Sequence, residues 1–247
     1  VLGEVRPIDS AGAHGLTALV ATFVQGKAYP VLAFLFGMGL AYAARGQSAA
    51  AARSAANRRA GRLMLLGVLH GTLLYYGDIL TIYALCAFWV ARQLREPWRR
   101  LRPRLAWAML GALLAVVASI GLAVLPLAGP APPGTIGTVS DYRAYLVLIA
   151  NTYLVAQAFG LLLALPLVRL AMLAGIAATR LRLLTHRRWR GHAARLLRRW
   201  LLPVAGVNAA YALAYISASP APPAWQRALE AGSALWAMPL ALLYVAA

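Results

Sequence analysis

Two polar residues stand inside the apolar stretch "LHGTLLYYGDILTIYAL", residues 69–85. A histidine and a carboxylate can share a proton-transfer step, so we predict that His70 and Asp78 are catalytic residues. His70 would be a general base on an acceptor hydroxyl or amine, and Asp78 would orient that acceptor or a water. Structural roles stay open for both. Asp78 could cap a helix that begins at Ile79, and His70 could bond a neighbouring backbone group or hydroxyl.

The spacing of this pair limits how the two side chains could meet. Eight residues of straight helix separate their Cα atoms by about 12 Å, so a direct bond requires the helix to break. A polar side chain in an apolar medium must face protein or a water-filled cavity. We therefore expect His70 to point into a cavity and to find its partner on another helix.

A second isolated charge is Arg169, within "LLLALPLVRLAMLAG". It lies eleven residues before Arg180, which is about 16 Å of helix. A guanidinium at that depth could hold a phosphate or carboxylate, so Arg169 is a candidate substrate-binding residue. The alternatives are an intramembrane salt bridge or an apolar span that ends before Arg169.

Three further polar residues complete the candidate substrate-binding set: Lys27, Arg45 and Asn208. Lys27 and Asn208 lie near the ends of apolar runs, where the alternative role is an interfacial anchor. The chain has a single cysteine, Cys86, and no His-Glu-x-x-His pattern, so we predict no metal site.

Composition and charge indicate a membrane protein. Apolar residues make up 62% of the chain and charged residues 12%, whereas soluble domains average about 45–50% and 25%. The net charge of +18 is concentrated in residues 45–62, 92–104 and 180–199, which hold five, six and eight arginines. Nucleic-acid binders gather their charge on one face of a soluble domain, so this pattern excludes them. It is typical of cytoplasmic membrane loops.

The apolar runs predict an all-α, polytopic fold with about seven transmembrane helices in one membrane domain covering residues 1–247. Each span needs about 20 apolar residues. The candidate spans are 28–44, 60–76, 79–95, 105–128, 154–178, 200–217 and 233–247, with possible interfacial helices at 16–27 and 144–153. Gly77 and Asp78 would form the turn of a hairpin, because both residues favour turns. With the basic blocks inside, the chain starts outside, which suggests that a leading helix is missing.

The residues of two segments resemble a known family. "GKAYPVLAFLFGMGLAYAARG" (26–46) and "RRAGRLMLLGVLHGTLLYYGDILTIYALCAF" (58–88) are similar to the YeiB-like bacterial membrane proteins, also called domain of unknown function 418. Residues 198–215 continue the likeness. The resemblance implies a multi-pass protein of the bacterial inner membrane. It also implies that a leading helix and later C-terminal helices of the family lie outside this chain.

That family is distantly similar to transmembrane acyltransferases, which move an acyl group from a cytoplasmic donor to an extracytoplasmic acceptor. The resemblance therefore implies a small-molecule substrate and an acyl-CoA-like donor, whose phosphates the arginines of the basic side would hold. Two other functions stay open. His70 and Arg169 could line the path of a transporter or channel for a small anion, or the protein could be a membrane scaffold without enzymatic activity.

Overall fold

The computed structural model describes residues 28–76, 78–124, 141–183, 191, 195 and 199–210. These residues form helices and the turns between them, so the predicted all-α class is correct for this part of the chain. Five helices have defined bounds: α1 Ala28–Ala43, α2 Ala49–Leu73, α3 Leu80–Ala91, α4 Trp98–Val124 and α5 Tyr142–Arg180. Residues 199–210 are also helical.

Helix α2 begins inside the first basic block, which we had expected to be a loop. Ser48 caps it, because its side-chain oxygen accepts a hydrogen bond from the backbone N–H of Ala51. The helix ends at Leu73, and α3 begins seven residues later, at Leu80, and packs back against α2. The two helices form the predicted hairpin, and Asp78 lies in its turn, whereas Gly77 lies outside the described residues.

Helix α5 is the central element, since α1, α2, α3 and α4 all pack against it. Its contact with α1 is made backbone to backbone at two glycines. A side-chain carbon on Gly37 would overlap the carbonyl of Met172, and one on Gly175 would overlap the carbonyl of Phe34. Small residues at a helix–helix interface permit such close approach.

Hydrogen bonds at both ends show that α1, α3 and α5 run in the same direction. At their N-terminal ends, the Tyr83 hydroxyl of α3 donates to the carbonyl of Tyr29 in the first turn of α1. At the C-terminal ends, Arg180 of α5 donates to the carbonyl of Leu94 just after α3. Helix α2 runs in the opposite direction between these ends, as its hairpin with α3 requires.

The seven-span count is wrong. Among the described residues, two helices are long and apolar enough to cross a membrane, Trp98–Leu122 and Tyr142–Arg180. The apolar helices Ala28–Ala43 and Leu80–Ala91 have 16 and 12 residues, or about 24 and 18 Å against roughly 30 Å of hydrocarbon. The interfacial helix at 144–153 and the span at 154–178 are one continuous helix that passes through Pro166.

Several expected elements lie outside the described residues. These are the interfacial helix at 16–27, the last span at 233–247, residues 211–217 of the span at 200–217, and residues 125–128 of the span at 105–128.

The glycine contact between α1 and α5 can be tested with two identical substitutions on α1. Gly37→Ala places a methyl group against the Met172 carbonyl, and such overpacking costs about 1–3 kcal/mol. Gly39→Ala meets no atom within 4 Å and should stabilise the helix by about 0.5–1 kcal/mol. The midpoint temperature of thermal unfolding, measured on the purified protein in detergent, should therefore fall for Gly37→Ala and rise for Gly39→Ala. Equal shifts would contradict the close contact.

Candidate functional site

The carboxylate of Asp78 is the centre of the candidate site. Its side chain is 1% exposed, although it lies in the turn of a hairpin. Oδ2 accepts a hydrogen bond from the backbone N–H of Thr81 at 3.1 Å and from the Thr81 hydroxyl at 3.2 Å. Asp78 therefore caps the first turn of α3, as its structural role predicted.

The other carboxylate oxygen contacts His70. The distance from His70 Nδ1 to Asp78 Oδ1 is 3.0 Å. We had expected His70 to find its partner on another helix, because a straight helix would keep it from Asp78. The two bond directly because α2 ends at Leu73, before Asp78. An ionised carboxylate only accepts hydrogen bonds, so Nδ1 is the protonated ring nitrogen in this pair. The neutral imidazole then carries its lone pair on Nε2.

The histidine is not enclosed, in contrast to its partner. Its side chain is 41% exposed, and its ring packs edge-on against Tyr75 with 6.3 Å between the ring centroids. The position is three residues from the end of α2, so the ring is near one end of the helix bundle. This exposure leaves part of the ring accessible from outside the protein, and the cavity that we expected at His70 stays a prediction.

A third helix joins this pair through Tyr153 of α5. The Tyr153 hydroxyl lies 2.7 Å from the Thr81 hydroxyl. Because the Thr81 hydroxyl donates to Asp78, Tyr153 must donate to Thr81, and the chain of donors ends on the carboxylate. One turn along α5, Gln157 Nε2 donates to the backbone carbonyl of Asp78 at 2.8 Å. Helices α2, α3 and α5 are thus bonded to one another around Asp78.

Two glycines of α2 make room for this network. A side-chain carbon on Gly67 would lie 2.6 Å from the backbone nitrogen of Thr81 and 2.9 Å from Asp78 Oδ2. A side-chain carbon on Gly71 would overlap the ring of Tyr153. Any larger residue at either position would push α2 away from the carboxylate, so these glycines set the distance across which His70 reaches Asp78.

Arg169 lies apart from this network. Its guanidinium stacks over the ring of Trp89 on α3, with Cζ 4.0 Å from the ring centroid. Its Nε is buried and has no hydrogen-bond partner among the described residues. The charge therefore pairs with an aromatic face, which is a favourable cation–π contact. Binding of a phosphate or carboxylate by Arg169 stays a prediction.

Arg45 lies at the opposite end of the bundle from His70. Its guanidinium stacks on the ring of Tyr42 at 4.1 Å, and it lines a pocket of about 450 Å³ together with Arg95, Arg180 and Arg182. Helix α3 has 12 residues, so about 18 Å of helix lies between the pair at its start and Arg95 just after its end. The structure therefore does not bring Arg45 together with His70.

The remaining candidates do not join either cluster in the described part of the chain. Asn208 is buried, and its Nδ2 donates to the carbonyl of Val204 one turn earlier. Lys27 lies outside the described residues. Among the residues that the structure describes, no group of three or more His, Cys, Asp or Glu side chains could hold a metal ion.

Sequence reasoning missed Thr81, Tyr153 and Gln157. A signal was present for each of them. Thr81 is three residues after a capping acid, which is the usual reach of an N-cap bond. Tyr153 and Gln157 are four residues apart in an apolar run, so they share one face of a helix. The identity of that face could not be inferred without knowing how α5 packs.

Because Tyr153 donates a hydrogen bond to Thr81, a Tyr→Phe substitution should lower the free energy of unfolding at Tyr153 and leave it unchanged at Tyr142, although both residues lie on α5. Tyr153→Phe keeps the ring against Gly71 but removes the hydroxyl that donates to Thr81, and a lost hydrogen bond of this kind costs about 0.5–1.5 kcal/mol. Tyr142→Phe changes a side chain that is 70% exposed and should leave stability unchanged. Thermal unfolding measures both variants, and equal stabilities would argue against the network.

We also compared the chain with known proteins. No family model, no curated protein and no solved structure matches it.

Proposed function

We propose that this chain is a multi-pass membrane protein that transfers an acyl group from a cytoplasmic donor to an extracytoplasmic acceptor. The membrane assignment is supported by the two long apolar helices and by the outer surface of the bundle. Only 22% of the apolar window of α4 is buried. Large apolar side chains such as Trp107 and Leu114 on α4 and Leu154 and Leu162 on α5 are at least 60% exposed.

Contact between apolar side chains and water is unfavourable, and soluble proteins therefore rarely expose large contiguous apolar patches. Such a surface is expected of helices in a bilayer, whose backbone groups are satisfied internally. The arginines of three chain segments gather in one pocket, at the C-terminal ends of α1, α3 and α5. The excess of arginine in cytoplasmic segments supports a cytoplasmic position for this end, in the bacterial inner membrane, and an extracytoplasmic position for His70.

One observation carries the proposed chemistry: a buried, fully hydrogen-bonded carboxylate holds Nδ1 of a histidine whose ring is 41% exposed. This arrangement fixes the tautomer in which Nε2 can accept a proton. A histidine positioned in this way is a general base for nucleophilic attack, and the carboxylate stabilises the imidazolium that forms.

In the proposed reaction, His70 Nε2 takes the proton of an acceptor hydroxyl or amine. The acceptor oxygen or nitrogen attacks the carbonyl carbon of a donor thioester. The bond between that carbon and the thioester sulfur then breaks. The leaving thiolate takes up the proton from His70, which restores the neutral imidazole. An acyl-CoA is a donor of the required class, and the products are the acylated acceptor and a free thiol.

The likeness of residues 26–46 and 58–88 to the YeiB-like proteins agrees with this proposal. The segment around His70, Gly77 and Asp78 carries that likeness, and His70 and Asp78 are the pair at the centre of the site. We therefore propose membership of this family together with the function, and the two proposals can be tested separately.

Transport of a small anion is the second candidate, and Arg169 is the observation that favours it. Along α5, Arg169 lies twelve residues after Gln157 and eleven before Arg180, which is about 18 and 16 Å of helix. Its Nε is buried and lacks a hydrogen-bond partner in the described residues. Arg169 would therefore be a binding position for the anion between the two ends of the bundle.

Replacing Asp78 by Asn separates catalysis from folding. The backbone N–H of Thr81 needs an acceptor, so the Asn oxygen must face Thr81 and its NH₂ must face His70. His70 Nδ1 would then accept, and Nε2 would carry the proton and cease to be a base. Asp78→Asn should fold but transfer acyl groups at least ~100-fold more slowly, as His70→Ala should.

The measurement is transfer of label from radiolabelled acetyl-CoA to any other product in proteoliposomes, normalised to folded protein. Asp141→Asn is the matched control, because Asp141 also caps a helix but lies at the exposed start of α5. Wild-type rates in Asp78→Asn would refute the catalytic role. Anion flux without transfer would favour the transporter, and neither activity in the wild-type protein would favour the scaffold.

A further inference from the structure

His70 lies where the packed face of α2 meets its outer face. On one side of it, Gly67 and Gly71 are buried against α3 and α5. Leu66 lies four residues before His70 and Leu73 three residues after it, so both flank its ring on the helix surface. Their side chains are 59% and 47% exposed. The exposed part of the His70 ring therefore opens onto an apolar surface.

This surface of α2 carries no Lys, Arg, Asp or Glu. Arg62 is the last arginine of the helix, and residues 63–76 contain none of these four residue types. The hydroxyl of Thr72 donates to the carbonyl of Val68 at 2.7 Å within the same helix, a bond that satisfies the hydroxyl without water. The surface around His70 therefore has the composition of a surface that faces lipid.

The length of α2 places this surface at the depth of the hydrocarbon. Arginines mark the cytoplasmic boundary of a membrane helix, and Arg62 is eleven residues from the end of α2 at Leu73, or about 16 Å. On α4, twenty residues separate Arg104 from Val124, which is about 30 Å and equals the hydrocarbon thickness. His70 is about 12 Å from the arginine boundary of its helix. The hairpin thus turns back before it has crossed a bilayer of ordinary thickness.

The second ring nitrogen of His70 needs a hydrogen-bond donor at this depth. Nδ1 is bonded to Asp78 at 3.0 Å, whereas Nε2 has no hydrogen bond within the described part of the chain. Because the two nitrogens point in different directions from the ring, Nε2 is directed away from the carboxylate. A polar atom that faces hydrocarbon is unfavourable unless it finds a partner. The hydroxyl or amine of a lipid headgroup is a donor that the membrane itself supplies.

We propose that His70 is reached laterally from the membrane and that its ligand is a lipid with a hydroxyl or amine in its headgroup. A bilayer thins beside a hydrophobic segment that is too short to cross it, which brings the outer headgroups down to the hairpin. Tyr75, 52% exposed just after the end of α2, would lie among these headgroups, where tyrosine is enriched. This inference rests on the proposed function, and it assigns the chemical class of the acceptor.

In the proposed transfer, the lipid headgroup is the nucleophile. Its hydroxyl oxygen or neutral amine nitrogen bonds to the acyl carbon of the donor thioester, and the bond from that carbon to sulfur breaks. The proton of the acceptor passes through His70 Nε2 to the leaving thiolate. The products are an acylated lipid and a free thiol, and no further reactant is required.

Collision measurements on spin labels test lateral access without turnover. Leu66→Cys and Leu73→Cys are each made in the full chain with Cys86→Ala, labelled with a nitroxide and reconstituted in vesicles of phosphatidylethanolamine and phosphatidylglycerol. Oxygen concentrates in hydrocarbon, whereas a nickel chelate stays in water, so we expect oxygen to relax both labels more than the chelate does. Ala50→Cys is the matched control, because Ala50 is exposed within the basic block at the start of α2, and it should show the reverse. Access of the chelate to all three labels alike would overturn the proposal.

The acceptor class is tested in the same vesicles with radiolabelled acetyl-CoA. Free ethanolamine and glycerol are added, since they carry the reactive groups of the two lipids without the tails. We expect at least ~10-fold more label in phospholipid than in the free compounds, because the tails contribute binding energy, and no labelled lipid with His70→Ala. Preferential labelling of ethanolamine or glycerol would overturn the lipid acceptor. Absence of label from every product, with both labelled positions in hydrocarbon, would contradict the proposed acyl transfer and support lipid access to His70.

Discussion

The arrangement of α2, α3 and α5 depends on one buried carboxylate. Removing a charge from water is unfavourable unless hydrogen bonds replace the lost hydration, and Asp78 meets this requirement with three donors on two residues, Thr81 and His70. The requirement constrains the rest of the site. Helix α2 must come within reach, which Gly67 and Gly71 permit, and Tyr153 must complete the donor chain from α5. The same bonds that stabilise the hairpin therefore orient the histidine.

The two ends of the bundle have opposite chemistry, and the helix directions explain why. Helices α1, α3 and α5 run in parallel, so their C-terminal ends meet at one end, where the dipoles stabilise cations and the arginine pocket lies. The start of α3 lies at the other end, where Asp78 accepts from the first turn and His70 is partly exposed. The acyl transfer that we propose requires such a difference between the two ends, since its donor and its acceptor come from opposite sides of the membrane.

Part of this organisation could be predicted from the sequence. Apolar runs predicted helices, the Gly77-Asp78 pair predicted the hairpin turn, and Asp78 was assigned as a possible cap. The number of spans could not be predicted, since hydropathy does not locate helix ends: α2 begins within an arginine-rich block, and α5 continues through Pro166. The bond between His70 and Asp78 was missed because a straight helix was assumed, whereas α2 ends three residues after His70. The meeting of Arg45 with Arg95 and Arg180 depends on tertiary packing that no local pattern encodes.

The central claim is that Asp78 sets the tautomer of His70. Nitrogen NMR on the chain with isotope-labelled histidine, reconstituted in lipid, reports this directly, with His14, His186 and His192 replaced by Gln so that only His70 contributes. At a pH that keeps the imidazole neutral, the account predicts a protonated Nδ1 and an unprotonated Nε2. A protonated Nε2 with a bare Nδ1 would contradict it, because His70 could then neither donate to Asp78 nor act as a base through Nε2.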